Sequence, residues 1–325
     1  MIQLFNNIIK RKDESFVAIN LGNRYLKGLV VKDGKVSDFF LRPRENIAED
    51  LKAIWQEKKI STNRVKISLK DHSSLVRYFS FPKLDKKKLK QTLFYELNKH
   101  IPFSPEEVYF DFSILEEISA NEVFLLLAVA KKELINSTID IFEKEKKDIV
   151  NISLDSICLI NTFLGFYKEE KKMNTATIDI GYNFSTLTIF KKGIPFMTRD
   201  LTFGAKDILS VLSNVKKIPV GDIDAWVANS ANHKEFLELS QNNIASLSRE
   251  AKSSFDYFEM NKGERIEKLF LTGGLAQVKG ISEIFADYLD AEVALLDNLE
   301  GLSAINDSKF NDIKNNLAVA SGLML

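Results

Sequence analysis

Phe16-Val17-Ala18-Ile19-Asn20-Leu21-Gly22 recurs in pattern as Thr175-Ala176-Thr177-Ile178-Asp179-Ile180-Gly181, a constant 159 residues later (Gly22 to Gly181). Each copy is an apolar run with a polar residue near its end, one further apolar residue and a glycine. The continuation repeats as well. Asn23-Arg24-Tyr25-Leu26-Lys27 and residues 28–34 align with residues 182–186 and 187–193, pairing Asn20 with Asp179, Gly22 with Gly181 and Gly34 with Gly193. Both copies predict a strand, a glycine turn, a second strand, a glycine turn and a third strand (36–41 and 195–201). A repeat at fixed offset outranks any single motif as evidence of architecture, and this one predicts a meander present in two lobes.

Helical periodicity follows each meander, over 47–57 and 203–212. Strands with interleaved helices in both halves predict an α/β fold. Between the copies, 75–81 (strand), 85–100 (helix), 108–115 and 123–130 (strands) and 131–146 (helix) form a unit large enough to be an inserted α+β subdomain. The lysine run 83–90 within it reads as a solvated helix face. The second half continues with a long helix (234–260), a buried strand (266–271), Gly273-Gly274, a helix reaching Leu289 and an apolar helix over 315–325. The organisation is a first lobe over 1–74, an insertion over 75–148, a return to the first lobe and interlobe helix over 149–170, and a second lobe over 171–325 whose last helix packs back between the lobes.

Composition narrows the function. Lysine plus arginine equals aspartate plus glutamate at 45 each, so the chain lacks the positive excess by which proteins displace counterions from nucleic acid. One cysteine, Cys158, and three histidines exclude an internal disulfide framework and argue against a thiolate or imidazole metal cluster; the pattern fits a reducing compartment. The longest apolar run, 123–130, is far short of the ~20 residues a membrane-crossing helix needs. Ile2, Leu4, Phe5, Ile8 and Ile9 before Lys10, Arg11 and Lys12 form a short amphipathic helix pattern with a basic end, which fits a helix packed on protein or one touching a membrane. It lacks a signal-peptide cleavage site.

Two strand-turn-strand hairpins facing each other across a cleft suit a polyphosphate. Turn glycines permit positive φ, and exposed turn amides cradle phosphate oxygens. The first hairpin offers Asn20, Gly22, Asn23, Arg24, Tyr25 and Lys27; the second offers Asp179, Gly181, Tyr182 and Asn183. Asp179 is the candidate metal residue, because magnesium keeps much of its water and takes one or two carboxylates plus phosphates. Glu250 and Ser254 share a helix face, beside Lys252 and Ser253, and with Gly273 and Gly274, where a flat ring can approach the backbone, they form a candidate adenosine pocket. Alternation leaves Lys27 either reaching the nucleotide or pointing outward.

These residues resemble the actin, sugar kinase and heat-shock chaperone ATPase superfamily, and within it the PilM family. The likeness runs from about Phe16 to the C-terminus. Thr177-Ile178-Asp179-Ile180-Gly181 looks like the second phosphate loop and Leu271-Thr272-Gly273-Gly274 like the adenosine loop. More specific to PilM are Phe81-Pro82 before a lysine-rich helix, Glu96-Leu97-Asn98-Lys99-His100-Ile101-Pro102-Phe103, Val108-Tyr109-Phe110-Asp111-Phe112 and the closing Leu317-Ala318-Val319-Ala320-Ser321-Gly322-Leu323. The resemblance implies an actin-like, duplicated ribonuclease H-like two-lobed ATPase fold with an inserted subdomain and ATP with Mg2+ between the lobes. It also implies a cytoplasmic protein, peripheral to the inner membrane, that docks the cytoplasmic N-terminal tail of a PilN-like membrane protein. Other pilus or secretion components are further partners that it leaves open.

The first phosphate loop departs from the family, with Asn20 in place of the usual aspartate and residues 20–27 in place of a serine-rich turn. An ionised hydrogen bond is worth ~1.5–3 kcal/mol against ~1 kcal/mol for a neutral one, which implies magnesium affinity lower by roughly ten- to a hundred-fold and at most a weak ATPase. Other readings share the lobes. A sugar kinase needs a carboxylate base beside the substrate hydroxyl, and no candidate is present. An FtsA-like division anchor is expected to end in a basic amphipathic helix, whereas this sequence ends Gly322-Leu323-Met324-Leu325. A nucleotide-free scaffold fits Asn20. Residues 101–103 fit either a partner contact or a helix terminator packed in the insertion, and the groove between the first lobe and the insertion is the natural place for an extended peptide.

Overall fold

The computed structural model describes residues 15–297, 310 and 313–325; the amphipathic pattern of residues 2–12 lies outside them. Described residues up to Thr162 and from Val319 onward form one compact unit, and those from Phe163 to Ala318 form the other.

In the first unit the chain runs β1 (Phe16–Leu21), β2 (Tyr25–Lys32), β3 (Lys35–Pro43), α1 (Ile47–Glu57), β4 (Arg64–Leu69), β5 (Ser74–Pro82), α2 (Lys86–His100), β6 (Val108–Ser119), β7 (Glu122–Lys131), α3 (Lys132–Lys144), β8 (Asp148–Leu154) and α4 (Asp155–Phe166), the last continuing into the second unit. One sheet has the order β3-β2-β1-β4-β8. All six residues of β1 are buried, as expected of a strand covered on both faces. The β2–β3 turn has positive φ at both Asp33 (52°) and Gly34 (73°), the conformation that makes Asp-Gly a strong hairpin signal. Helix α1 starts at Asn46, whose side chain accepts hydrogen bonds from the Ala48 and Glu49 amides, and buries Leu51, Ile54 and Trp55.

A separate sheet has the order β5-β7-β6. Helix α2 covers it with Leu89, Leu93 and Leu97, spaced four apart and fully buried against Phe81, Val123, Leu125, Leu127 and Val129. Lys86, Lys87, Lys88 and Lys90 are exposed on the opposite face, the solvated stripe expected of an amphipathic helix. Helix α3 packs against β7, β8 and α1.

The second unit repeats the plan with β9 (Thr175–Asp179), β10 (Ser185–Lys191), β11 (Ile194–Leu201), α5 (Ala205–Lys216), α6 (Ile223–Ala228), α7 (His233–Lys262), β12 (Lys268–Thr272), α8 (Ile281–Tyr288) and β13 (Glu292–Leu295). Its order, β11-β10-β9-β12-β13, matches β3-β2-β1-β4-β8 position for position. Even the irregularities repeat. The register slips between Val30 and Val31 in β2 and between Ile189 and Phe190 in β10, and the Lys192-Gly193 turn again has positive φ at both residues (48° and 81°). The expected closing helix over 315–325 is instead a 3-10 turn, Lys314–Leu317, followed by a short helix, Ala318–Gly322. The end of this short helix packs closely on α4: a Cβ at Gly322 would lie 1.8 Å from the Cys158 carbonyl oxygen.

Candidate functional site

In the second unit, register places Asp200, Thr186, Asp179 and Thr272 in one row across β11, β10, β9 and β12. Thr186 donates to Asp200 (2.8 Å). Asp179 is half-buried at the end of β9, and its carboxylate has no hydrogen bond or ion pair among the described residues. Beyond it the chain turns sharply: the Ile180 amide donates to the Thr272 carbonyl (2.9 Å) and the Gly181 amide to the Asp179 carbonyl (3.0 Å).

Two neighbouring segments hold this loop. The Ala205 and Lys206 amides at the start of α5 donate to the Gly181 and Tyr182 carbonyls (2.8 and 2.9 Å). On the other side, Gly273 has φ +97°, and a Cβ there would lie 2.4 Å from the Ile180 carbonyl oxygen. No other residue type allows this approach, which brings Gly273-Gly274 against the Asp179-Ile180-Gly181 turn. Asn315, which the sequence reading does not single out, completes the cluster. Its carbonyl accepts from the Thr272 hydroxyl (2.7 Å) and its Nδ2 donates to the Gly273 carbonyl (3.4 Å). Its Oδ1 is buried without a partner. Asn183 lies against Gly204, where a Cβ would meet the Asn183 and Tyr182 backbone at 2.4 Å.

Glu250 and Ser254 do share a face of α7, but that face meets the end of β11. Glu250 accepts from the Thr202 hydroxyl (2.7 Å) and amide (3.2 Å), and Ser254 accepts from Arg199 Nη1 (3.2 Å). None of the described hydrogen bonds joins either residue to Gly273 or Gly274; both act in tying α7 to the strand that leads into α5.

The first unit has the matching row Lys27, Asn20, Ser68 and Ser153 across β2, β1, β4 and β8. Lys27 stands directly opposite Asn20 in an antiparallel pair and so lies on the same face, half-buried. Asn20 is 2% exposed, and its Nδ2 donates to Asp155 Oδ2 (2.8 Å), the first residue of α4, and to Ser68 Oγ (3.1 Å). The Gly22 turn is tight: a Cβ would lie 2.6 Å from the Tyr25 carbonyl oxygen. Arg44 donates through Nη1 to the Gly22 carbonyl (3.1 Å) and through its amide to the Arg24 carbonyl (2.9 Å). Asn23 is exposed, and the Arg24 guanidinium lies 5.9 Å from the Tyr25 ring centroid. Cys158 is fully buried, and burial together with the Asp155 charge pushes its thiol pKa up, which leaves it an unreactive core residue.

No group of three or more His, Cys, Asp or Glu side chains suited to a metal occurs among the described residues. A single open carboxylate, Asp179, suits magnesium that arrives with phosphates and keeps its water. The donor set thus fits that ion better than zinc, which takes a closed set of side chains.

A groove of about 490 Å³ lies wholly in the first unit, lined by Ile139, Glu143, Lys147, Ile149, Asn151 and Ile152, among others. It runs beside β8, an outer strand of its sheet. Lys147 sits 3.9 Å from the Trp55 ring centroid, and burial lowers its pKa. Of residues 101–103, Ile101 is buried beside Leu97 and Val108 and Phe103 packs on the same cluster, so this segment ends α2 and fills the core beneath it, with Pro102 exposed.

A profile of the family described as type IV pilus assembly protein PilM matches residues 10–325. The chain belongs to the PilM family. No curated protein matches it by sequence. Among solved structures, the PilM-PilN type IV pilus biogenesis complex aligns with TM-score 0.85 at 18% identity, covering 95% of this chain and 97% of that one. The ethanolamine utilization protein EutJ of Carboxydothermus hydrogenoformans aligns with TM-score 0.57 at 13% identity (95% and 89% covered). MreB 5 of Spiroplasma citri bound to AMPPNP aligns with TM-score 0.50 at 10% identity (93% and 95% covered). This PilM-family chain therefore has an actin-like ATPase fold and is a type IV pilus assembly protein. No helix among its described residues is long and apolar enough to cross a membrane.

Proposed function

We propose that this PilM-family protein is a nucleotide-binding platform on the cytoplasmic side of the type IV pilus machine, where it binds ATP with Mg2+ and docks the tail of a PilN-like membrane protein. The carrying observation for the nucleotide is the approach of Gly273 to Ile180 beside the open carboxylate of Asp179. Backbone from two loops converges there next to one unpaired negative charge, the arrangement a hydrated magnesium–polyphosphate needs. Asp179 would hold the ion through water, and the backbone of Gly273-Gly274, held against the same turn, would lie beside the nucleoside. The ion would neutralise phosphate charge.

A thermal-shift titration tests this reading. A ligand at a hundred times its Kd stabilises by ~2.7 kcal/mol, so millimolar ATP with magnesium is expected to raise Tm by several degrees and ATP with a chelator by less. No shift with either would remove the nucleotide.

Turnover is a separate matter. Both protons of the Asn20 amide are already engaged by Asp155 and Ser68, which favours a binding platform with little or no hydrolysis. Phosphate release above that of an Asp179→Asn protein would count against it.

The partner tail is assigned to the groove between α3 and β8, with residues 75–148 read as the insertion and 149–170 as the return of the first lobe. An outer strand offers unpaired backbone to an extended peptide, and Ile139, Ile149 and Ile152 offer apolar seats. A labelled PilN-like N-terminal peptide is expected to bind the full chain, and Ile149→Lys, at a partly exposed position of the groove, to weaken it at least tenfold with Tm retained. Unchanged binding would move the tail elsewhere.

A further inference from the structure

We infer that the exposed lysine face of α2 is an electrostatic contact site for an anionic lipid surface, separate from the groove assigned to the partner tail. The sequence concentrates the charge there. Residues 83–100 hold six lysines, no arginine and two carboxylates, Asp85 and Glu96, in a chain whose opposite charges balance at 45 each. Lys86, Lys87 and Lys88 fill the first turn of α2, which has no acidic residue. The helix dipole disfavours cations in a first turn, so these charges do not serve the helix.

Local carboxylates neutralise only part of the cluster. Glu117 pairs with Lys83 (2.6 Å), Asp85 with Lys88 (3.5 Å) and Glu96 with Lys99 (3.1 Å), which leaves Lys86, Lys87 and Lys90 exposed and with no ion pair among the described residues. Two aromatic residues continue the face. Phe94 and Tyr95 stand seven residues after Lys87 and Lys88, two turns along the same sides of the helix, and are 37% and 79% exposed. Their rings meet edge to face at 5.8 Å, and Phe94 stacks on Phe110 of β6 at 6.4 Å, so the exposed tyrosine is seated on a ring that contacts the sheet.

The residue types decide between a lipid and a protein. Protein interfaces favour arginine and are depleted in lysine, whereas clusters of roughly four to eight basic residues on an amphipathic helix attract anionic headgroups. Tyrosine is enriched at headgroup depth. A lysine ammonium is a hydrated point charge on a flexible stem, suited to a fluid layer of phosphates more than to fixed carboxylates. Each lysine near such a surface is worth about fivefold in affinity. A chain already held by the tail of a membrane protein meets the bilayer at high effective concentration, so a contact that is weak alone suffices.

Co-sedimentation of the full chain with vesicles of phosphatidylglycerol and phosphatidylcholine tests the contact, with pure phosphatidylcholine vesicles as the reference. Wild type is expected on the anionic vesicles only, and to be released by about 1 M salt, where the screening length is ~3 Å. The triple variant Lys86→Gln, Lys87→Gln, Lys90→Gln is expected to partition roughly a hundredfold less, and Lys→Arg at the same three positions to keep the wild-type value, since the charge is retained. Tyr95→Ser should lose several-fold with the salt dependence unchanged, and every variant should keep the wild-type Tm. Equal partitioning of wild type and the glutamine variant overturns the inference and moves vesicle binding to another segment, such as residues 2–12. Wild type that stays in solution with both kinds of vesicle at low salt overturns it as well and leaves an acidic protein as the occupant of this face. The peptide-binding assay in the same chains keeps the two readings apart: the glutamine variant is expected to bind the PilN-like peptide as wild type does, and a chain that binds vesicles but no peptide contradicts the tail reading alone.

Discussion

The two five-stranded sheets share strand order, hairpin turns and even the site of the β2 and β10 register slip, yet they fill matched positions in opposite ways. In the first, Gly28 stands opposite Phe40; in the second, Leu187 stands opposite Arg199. The first pair lets an aromatic ring lie over a bare backbone, and the second frees the third strand's residue to reach Ser254 on α7. Asn20 is buried and bonded internally, whereas Asp179 is half-buried and open. The scaffold is kept by backbone turns and buried apolar faces, which tolerate little change, while the polar row at the strand ends is free to diverge in chemistry.

The sharpest break in the comparison would come from copying one sheet into the other. A Cβ at Gly28 would lie 2.1 Å from the Phe40 ring and 2.8 Å from the Ala18 carbonyl oxygen. Gly28→Leu is expected to destabilise by about 3 kcal/mol or more, the upper range for overpacking, read as a lower midpoint in urea; Gly28→Leu with Phe40→Ala should recover part of it. Next in size is the polar row. Asn20→Ala is expected to cost about 2 kcal/mol, because it takes a hydrogen bond from the buried Asp155, while Asp179→Ala should stay within about 0.5 kcal/mol of wild type in the same unfolding assay. Equal costs would mean that the two positions do the same work.

The smallest effect concerns pH and belongs to the second unit. Glu264 accepts from the Asn174 side chain and pairs with Lys192 and Lys191, which lower its pKa to about 2. A carboxylate whose folded pKa is depressed stabilises the fold above its unfolded value, near 4.5, and that contribution is lost as pH falls toward about 2. Glu264→Gln is therefore expected to flatten the wild-type fall in Tm between those values. Superimposable profiles would remove the assignment.

Much of this architecture is legible in the sequence because it depends on local chemistry. The Asp33-Gly34 and Lys192-Gly193 turns, the i, i+4 leucines of α2 and the Asn46 cap of α1 each announce their element. Strand β4 is harder. Its Val65-Lys66-Ile67-Ser68-Leu69 alternates as if half-exposed, but Lys66 is buried with its ammonium 4.1 Å from the Phe16 ring centroid, and Ser68 is bonded to Asn20. The same limit applies to the site. The repeat brings Asp179 and Gly181 into view, and Gly273-Gly274 follows an apolar strand. Asp155 and Asn315 reach the strand ends only through long-range packing, from 135 residues beyond Asn20 and 42 beyond Gly273, and no spacing rule links them. Glu250 and Ser254 show the converse. Their shared helix face is readable, but what it faces is not, and the structure gives that face to Thr202 and Arg199.

The central claim is that the open carboxylate beside the Gly273 turn makes this protein a magnesium-nucleotide binder. Isothermal titration of ATP into the full chain, with and without magnesium, beside Asp179→Asn, addresses it most directly. The expected result is one saturable site per chain, tightened by magnesium in wild type and tightened roughly tenfold less in the variant. Heat that is absent at high protein concentration with the far-UV spectrum intact, or a magnesium effect that is identical in both proteins, would contradict it.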